Sequence, residues 1–244
     1  MKVRALYKSL TITALLPIKA HSARVKSKNF RMIAGKPLFR WILDALTSVS
    51  EIDKVVINTD ASELLAAEGL RHGDYDGCVI IRDRPEEICG DFVSMNRVLE
   101  NDIDNVPSDI YFMTHTTNPL LSPGTIRDMI SKYYAGLEQG KDSLFTVNQL
   151  QTRFYTKDVH PINHDPDNLI RTQDLPPYFE ENSVGYFFSG KSFKETSARI
   201  GRSPIMYTTP ALESVDIDEI TDWFVAESLL MRVAEGVTLP TSWS

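Results

Sequence analysis

Cysteine is scarce in this 244-residue chain: Cys78 and Cys89 are the only two, too few for a disulfide framework or a four-thiolate zinc site. No run of 18 apolar residues occurs, so no segment is long enough to cross a bilayer as a helix. The phosphate loop G-x-x-x-x-G-K-[ST] and the dinucleotide fingerprint G-x-G-x-x-G are both missing. So is the G-x-S-x-G elbow of serine hydrolases, which leaves nucleophilic Ser or Cys chemistry without support. Internal repeats and low-complexity tracts are also lacking. What remains, 42% hydrophobic and 24% charged residues, is the composition of a globular protein with a sizeable core.

Acidic residues are missing altogether before Asp44, whereas ten of the 26 Lys and Arg residues lie there. The rest of the chain holds 16 basic against 33 acidic residues, for a net charge of -7 overall. That sum argues against a nucleic-acid binder, while the asymmetry places a small polyanion near the N-terminal segment. A basic start followed by an apolar stretch at 10–18 has the outline of a signal peptide. The stretch is broken by Thr11, Thr13 and Pro17, and a basic loop and a helix follow at once, so it is read instead as the first strand of a βα unit. Few cysteines and no span fit a cytoplasmic protein.

Apolar runs bounded by turn residues predict strands at 12–18, 54–58, 78–82, 109–114, 143–147, 184–189 and 205–209. Helical periodicity predicts helices at 37–49, 61–70, 93–100, 123–134 and 219–235. Alternation of this kind gives an α/β fold, a three-layer, doubly wound sheet whose ligands sit beyond the carboxyl ends of the strands. The whole chain, 1–244, is expected to be a single domain. The rhythm lapses at about 150–181, where Tyr, His, Pro, Asp and Asn dominate. A long irregular segment in a compact domain is usually functional, and this one is read as an excursion that caps the cleft or meets a second subunit.

Two groups of residues carry chemistry. The loop K-A-H-S-A-R-V-K-S-K-N at 19–29 presents Lys19, Arg24, Lys26 and Lys28 without one acidic neighbour. A triphosphate needs several cations and backbone amides at close range, and a loop at the mouth of a sheet supplies both. The second group is Asp216 and Asp218, which an extended segment would point to one side; paired carboxylates are the hard oxygen ligands that Mg²⁺ selects. Asp218 also suits capping of the helix that begins near Glu219. Asp60, three residues before Glu63, reads as a capping box. His160 and His164 have the i, i+4 spacing of zinc ligands, but Pro161 and Pro166 break the helix that such a site requires.

The loop at 19–29, A-G-K-P-L at 34–38, V-I-N-T-D at 56–60, Arg84-Pro85 with Asp91, T-T-N-P-L at 116–120, Glu181-Asn182 with Tyr186, and V-D-I-D at 215–218 follow one another in a familiar order. In that order and spacing the chain resembles the acylneuraminate cytidylyltransferases, the family that makes CMP-activated sialic acids. The resemblance implies a nucleotide-sugar nucleotidyltransferase fold, CTP and Mg²⁺ as requirements, a nine-carbon acidic sugar as acceptor, and a homodimer. It also implies residue roles. Lys19, Ser22, Arg24, Lys28, Asn29, Arg84, Ser94 and Met95 would bind the nucleotide, with Ser94-Met95 reading cytosine. His115, Lys157, Arg171, Gln173, Asn182 and Tyr186 would bind the sugar acid, and Asp216 and Asp218 the metal. Lys19, Arg24, Lys28 and His115 would be catalytic, His115 as general base or as an orienting group.

The chain departs from the family at two places. The glycine-rich part of its loop is Ser22-Ala23-Arg24 here, and Lys19 replaces an Arg, trading a planar bidentate donor for a point charge. The family's Gln before the Thr-rich motif is His115, at a position that touches the sugar acid. The 3-deoxy-manno-octulosonate cytidylyltransferases, and a non-catalytic domain that binds nucleotide or sugar acid, are the alternatives.

Overall fold

The computed structural model describes residues 9–21, 25 and 27–240. Its central strand, β1 (Ile12–Leu15), is buried at every position, because it lies between two parallel neighbours and has helices over both faces. Asp53 and Asp109 anchor its start: Asp53 Oδ2 accepts from Ile12 N at 2.7 Å and Asp109 Oδ2 from Thr11 N at 2.8 Å. The strand predicted at 12–18 is shorter than expected. Pro17 donates no hydrogen bond, so pairing lapses after Leu15 and returns only as a single bridge between Ile18 and Thr59.

A small antiparallel hairpin, β2 (Met32–Ile33) and β3 (Lys36–Pro37), follows. Ala34 and Gly35 turn it with φ of 45° and 92°, a tight turn that Gly35 adopts without strain. Next come α1 (Leu38–Thr47), β4 (Lys54–Thr59), α2 (Ser62–Ala67), β5 (Val79–Asp83), α3 (Met95–Asn105), β6 (Ile110–Met113) and α4 (Pro123–Leu137). The chain closes with β7 (Ser143–Leu150), β8 (Tyr178–Ser189), α5 (Gly190–Thr196), β9 (Pro204–Thr208) and α6 (Ile220–Ala234). α1 has no side-chain cap but buries Leu38, Phe39, Ile42, Leu43, Ala45 and Leu46. At roughly 1.5–3 kcal/mol for each large apolar side chain removed from water, that face outweighs a missing cap worth about 1 kcal/mol.

Seven strands form one sheet in the order β5-β4-β1-β6-β8-β7-β9, a mixed sheet in which β8 alone runs against the rest. One face packs on α1 and α4 through Phe39, Ile42, Ile126 and Met129, the other on α3 and α5 through Leu99, Ile103 and Phe193. Gly185 permits close packing at the centre. A Cβ there would lie 2.6 Å from the Phe112 ring, which stacks on Phe187 at 4.4 Å.

All seven strands predicted from apolar runs are present, and each of the five expected helices occurs with shifted ends. α3 starts at Met95, two residues later than expected, because Ser94 caps it, and runs to Asn105, five residues past its expected end. The β2–β3 hairpin and α5 were not anticipated. β8 begins at Tyr178, earlier than expected, so the excursion narrows to 151–177. Cys78 and Cys89 are free thiols. None of the helices among the described residues is long and apolar enough to cross a membrane.

Candidate functional site

Because β8 runs against the other strands, its first residues meet the last residues of β1, β4, β6, β7 and β9 along one edge. β1 lies between β4 and β6, and the connections leave it in opposite directions, which opens a crevice where such sheets take ligands. The segments after β1, β5 and β6 and the stretch before α6 line it.

On one side stands the 3-10 turn Lys28–Phe30. Lys28 is 7% exposed, its ammonium donates to Ile217 O, and it lies 3.9 Å from Asp218 Oδ1. Asn29 ties the loop together: its amide donates to Lys19 O at 2.8 Å, and its Oδ1 accepts from Thr116 Oγ1 at 2.6 Å. Lys19 reaches across to Gly90 O and Asp91, at 3.1 and 3.2 Å. Asp60 does not cap α2, whose N-cap is Ala61; it accepts from Ala20 N at 2.7 Å and so fixes the basic loop instead. Ser22, Arg24 and Lys26 lie outside the described residues.

Asp216 and Asp218 flank a fully buried Ile217, whose amide donates to Thr117 O at 2.9 Å. The strand-like alternation puts both carboxylates on the side opposite Ile217, Asp218 open to solvent and Asp216 with one oxygen buried. Capping of α6 is not the task of Asp218. Glu219 is the N-cap and Asp222 completes a capping box, with Asp222 Oδ2 accepting from Asp218 N and Glu219 N at 2.9 and 2.7 Å. Burial raises the Asp216 pKa, as do the nearby charges of Asp218 and Asp222, against the lowering effects of Thr117 and Lys28. Asp216 Oδ1 is buried without a hydrogen-bond partner. An orphaned carboxylate oxygen among like charges is what a bound cation would satisfy, so these residues fit Mg²⁺, which binds through one or two carboxylates and substrate oxygens. No group of three or more His, Cys, Asp or Glu suited to a metal occurs among the described residues.

His115 lies between this group and the far side of the crevice. Burial, Arg199 and Lys28 together lower its pKa to about 4, so the imidazole is neutral at pH 7. Across from it Tyr186 donates to Glu181 Oε1, with Ser183 Oγ 3.0 Å from its hydroxyl. The Arg199 guanidinium lies over the Tyr186 ring at 4.2 Å and 3.6 Å from the same Glu181 oxygen. Asn182 donates to Asn148 Oδ1 at 2.9 Å and to Thr209 Oγ1, tying the starts and ends of three strands together. A cavity of about 340 Å³ opens here, lined by Ser94, Met95, Asn96, Glu181, Arg199 and Ile200. A larger one of about 500 Å³, between α1 and α6, is lined by Trp41, Leu120 and Leu230 and lies away from these charges.

Other expected site residues sit differently. Arg84 is turned into the fold, donating to Asn58 Oδ1 at 2.8 Å and Asn58 O at 2.7 Å. Asn58 in turn donates to the buried Asp102 at 2.7 Å, and Arg84 keeps one face on a cavity it shares with Ala20 and Asp60. Ser94 spends its hydroxyl on Asn96 N, as the cap of α3. Lys157, Arg171 and Gln173 lie exposed on the excursion; Arg171 forms a two-pronged pair with Asp174 at 2.7 and 2.9 Å. In one subunit the excursion thus does not bring them to Tyr186. Arg199 escaped the sequence reading because nothing in its spacing marks it.

A mixed sheet with a buried lysine and paired carboxylates at its switch point defines the class: the fold is that of the nucleotidyltransferases. A 4-diphosphocytidyl-2C-methyl-D-erythritol synthase from Anaerococcus prevotii superposes with a TM-score of 0.64 over 93% of this chain and 99% of its own, at 13% identity. Residues 13–220 match the model of the cytidylyltransferase family, and the chain belongs to that family. It is 28% identical over 233 residues to N-acylneuraminate cytidylyltransferase A of Danio rerio, covering 92% of this chain and 52% of that protein. It is 26% identical over 241 residues to CMP-N,N'-diacetyllegionaminic acid synthase of Legionella pneumophila, covering 91% and 97%. A 3-deoxy-manno-octulosonate cytidylyltransferase of Acidobacterium capsulatum matches over 51% of the chain and 47% of its own length. The chain therefore spans about half the length of the first relative and nearly all of the second.

Proposed function

We propose that the chain transfers CMP from CTP to the anomeric hydroxyl of a sialic-acid-like 2-keto sugar acid and releases pyrophosphate. The observation that carries this reading is one crevice with Lys28 and the Asp216–Asp218 pair on one side and His115, Asn182 and Tyr186 on the other. The alternative octulosonate reading is weaker, since its representative matches only half of the chain.

The anomeric oxygen attacks the α-phosphorus of CTP; its bond to phosphorus forms as the bond between that phosphorus and the bridging oxygen breaks, pyrophosphate leaves with that oxygen, and the hydroxyl proton passes to solvent water. Positioning and charge neutralisation are then the main tasks of the protein. Lys28, with Lys19 and Arg24 of the same loop, holds the triphosphate. Asp216 and Asp218 would hold Mg²⁺, which neutralises phosphate charge and orients the phosphates. Asn29 keeps Lys19 and the loop in register. His115, neutral at pH 7, accepts a hydrogen bond from the anomeric hydroxyl; a base of such low pKa orients the attacking oxygen better than it removes its proton. Asn182 and Tyr186 shape the sugar pocket, and Ser94 and Met95 at the start of α3 read the base.

The excursion supports a homodimer. Tyr155, Val159, Ile162, Leu169 and Ile170 are each at least 46% exposed there, a cluster that a second subunit would cover while bringing Lys157, Arg171 and Gln173 to the neighbouring crevice. A cytoplasmic setting suits a CTP-dependent reaction and two free thiols. The test is pyrophosphate release from CTP and Mg²⁺ with N-acetylneuraminate, legionaminate, pseudaminate and 3-deoxy-manno-octulosonate in turn. Release with a nine-carbon acid is expected; release with the octulosonate alone would move the activity to the rival enzyme, and none with any acid would leave a binding domain.

A further inference from the structure

Arg199 stands out because its guanidinium is committed to little. The side chain is only 22% exposed, yet among the described residues it makes no hydrogen bond. Its contacts are the Tyr186 ring at 4.2 Å and the Glu181 carboxylate at 3.6 Å. Glu181 already receives the Tyr186 hydroxyl on the same oxygen, so it offers Arg199 a distant charge rather than a fork of hydrogen bonds. The guanidinium is thus held by ring stacking and one long ion pair, with its remaining donors turned to solvent rather than to protein acceptors. An oxyanion entering the adjoining cavity of about 340 Å³, which Arg199 and Glu181 line opposite Ser94 and Met95 at the start of α3, would supply close acceptors in the planar geometry that Arg favours.

The position selects which anion. Lys28 and the carboxylate pair lie on the opposite side of His115, where the triphosphate is placed. Arg199 packs on Tyr186, the floor of the sugar side, and approaches His115 from that side. Lys157 and Arg171, the other cations expected near the sugar, stand on the exposed excursion of this subunit and would reach a sugar only in a neighbouring crevice, so Arg199 is the cation that this subunit itself places beside Tyr186.

We propose that Arg199 is the residue that grips the carboxylate of the acceptor sugar acid, making it a specificity determinant of the crevice. This rests on the synthetase reading above. Tyr186 serves as the platform that orients the guanidinium, and Glu181 holds both in place until the substrate arrives. A neutral sugar would displace water from the guanidinium without giving it a charged acceptor in return, which is how such a site rejects it.

The test measures binding apart from turnover. Equilibrium binding of N-acetylneuraminate, legionaminate, pseudaminate and their methyl esters is compared between the native protein and Arg199→Gln, which keeps a polar chain over Tyr186. In the native protein an acid is expected to bind about thirtyfold more tightly than its ester; in Arg199→Gln that preference should vanish, with the ester bound equally well by both proteins. Arg199→Lys should restore part of the preference. In turnover, Arg199→Gln should raise KM for the acid about thirtyfold and leave KM for CTP within twofold. Retention of the preference in Arg199→Gln, or binding of no acid by the native protein, would overturn the proposal. An equal rise in KM for CTP would also overturn it, pointing to a general loss of structure or to a nucleotide contact. If acids bind through Arg199 but no pyrophosphate is released, the synthetase reading fails and the carboxylate site stands.

Discussion

The two sides of the crevice are built differently. On the side proposed for the nucleotide, polar side chains are bonded largely to backbone: Lys28 to Ile217 O, Asn29 to Lys19 O, Arg84 to Asn58 O, Asp60 to Ala20 N. Of these partners Asn58 lies in β4 and the others in the segments around the sheet's edge, so the loops here are tied to main chain rather than to one another's side chains. On the side proposed for the sugar, the side chains hold one another: Tyr186 with Glu181, Glu181 with Arg199, Asn182 with Asn148 and Thr209. A network of side chains can be re-aimed by a single substitution. The difference teaches where a family that keeps one nucleotide and varies its sugar has room to change.

The comparison breaks most sharply at the metal pair, on the nucleotide side. Asp216→Asn is expected to lower Mg²⁺-dependent turnover about a thousandfold while shifting the thermal midpoint little, because an amide can still accept the Thr117 hydrogen bond and removes a charge that burial disfavours. Pyrophosphate release across a Mg²⁺ titration, with an unfolding curve alongside, measures both; full activity would reject the metal role.

Next in size is the anchoring of Arg84, which rests in part on Asp102 through Asn58. Burial raises its pKa to about 6 against the lowering effects of Asn58 and Arg82, with Arg84 acting from further off. The folded protein then holds this proton more tightly than the unfolded chain, so the stabilisation is present at pH 4 and declines as the pH rises to about 6; above that the ionised side chain costs a constant amount. The decline should be on the order of 2–3 kcal/mol. Urea unfolding at pH 4, 5, 6 and 7 should show that slope in the native protein and a flatter one in Asp102→Asn. Equal slopes would mean that Asp102 is ionised throughout.

A smaller effect separates phosphate grip from base reading. Lys28→Ala should weaken CTP, UTP and ATP by similar factors, about 10- to 100-fold, because phosphate contacts do not read the base. A changed preference among the three with little loss of affinity would remove Lys28 from the phosphates.

How much of this was legible in the sequence follows from how each part is made. β1, β4 and β6 are buried on both faces and wrote themselves as apolar runs. The β2–β3 hairpin has two residues in each strand and α5 reads G-K-S-F-K-E-T, too short and too polar for any periodicity to register. Lys28, Asp216 and Asp218 were visible as residue types in sparse surroundings. Asp60 was misjudged because its local spacing imitates a cap, whereas its partner, Ala20, lies forty residues away. Arg199 was invisible for the same reason: only the reversed β8 brings Glu181 and Tyr186 beneath it.

The most direct test of cytidylyl transfer follows the phosphorus. With CTP labelled in turn at the α and γ positions, Mg²⁺ and a nine-carbon sugar acid, the α label should appear in a CMP-sugar conjugate and the γ label in pyrophosphate. Gamma label in inorganic phosphate or on the sugar, with no α label in a conjugate, would contradict it.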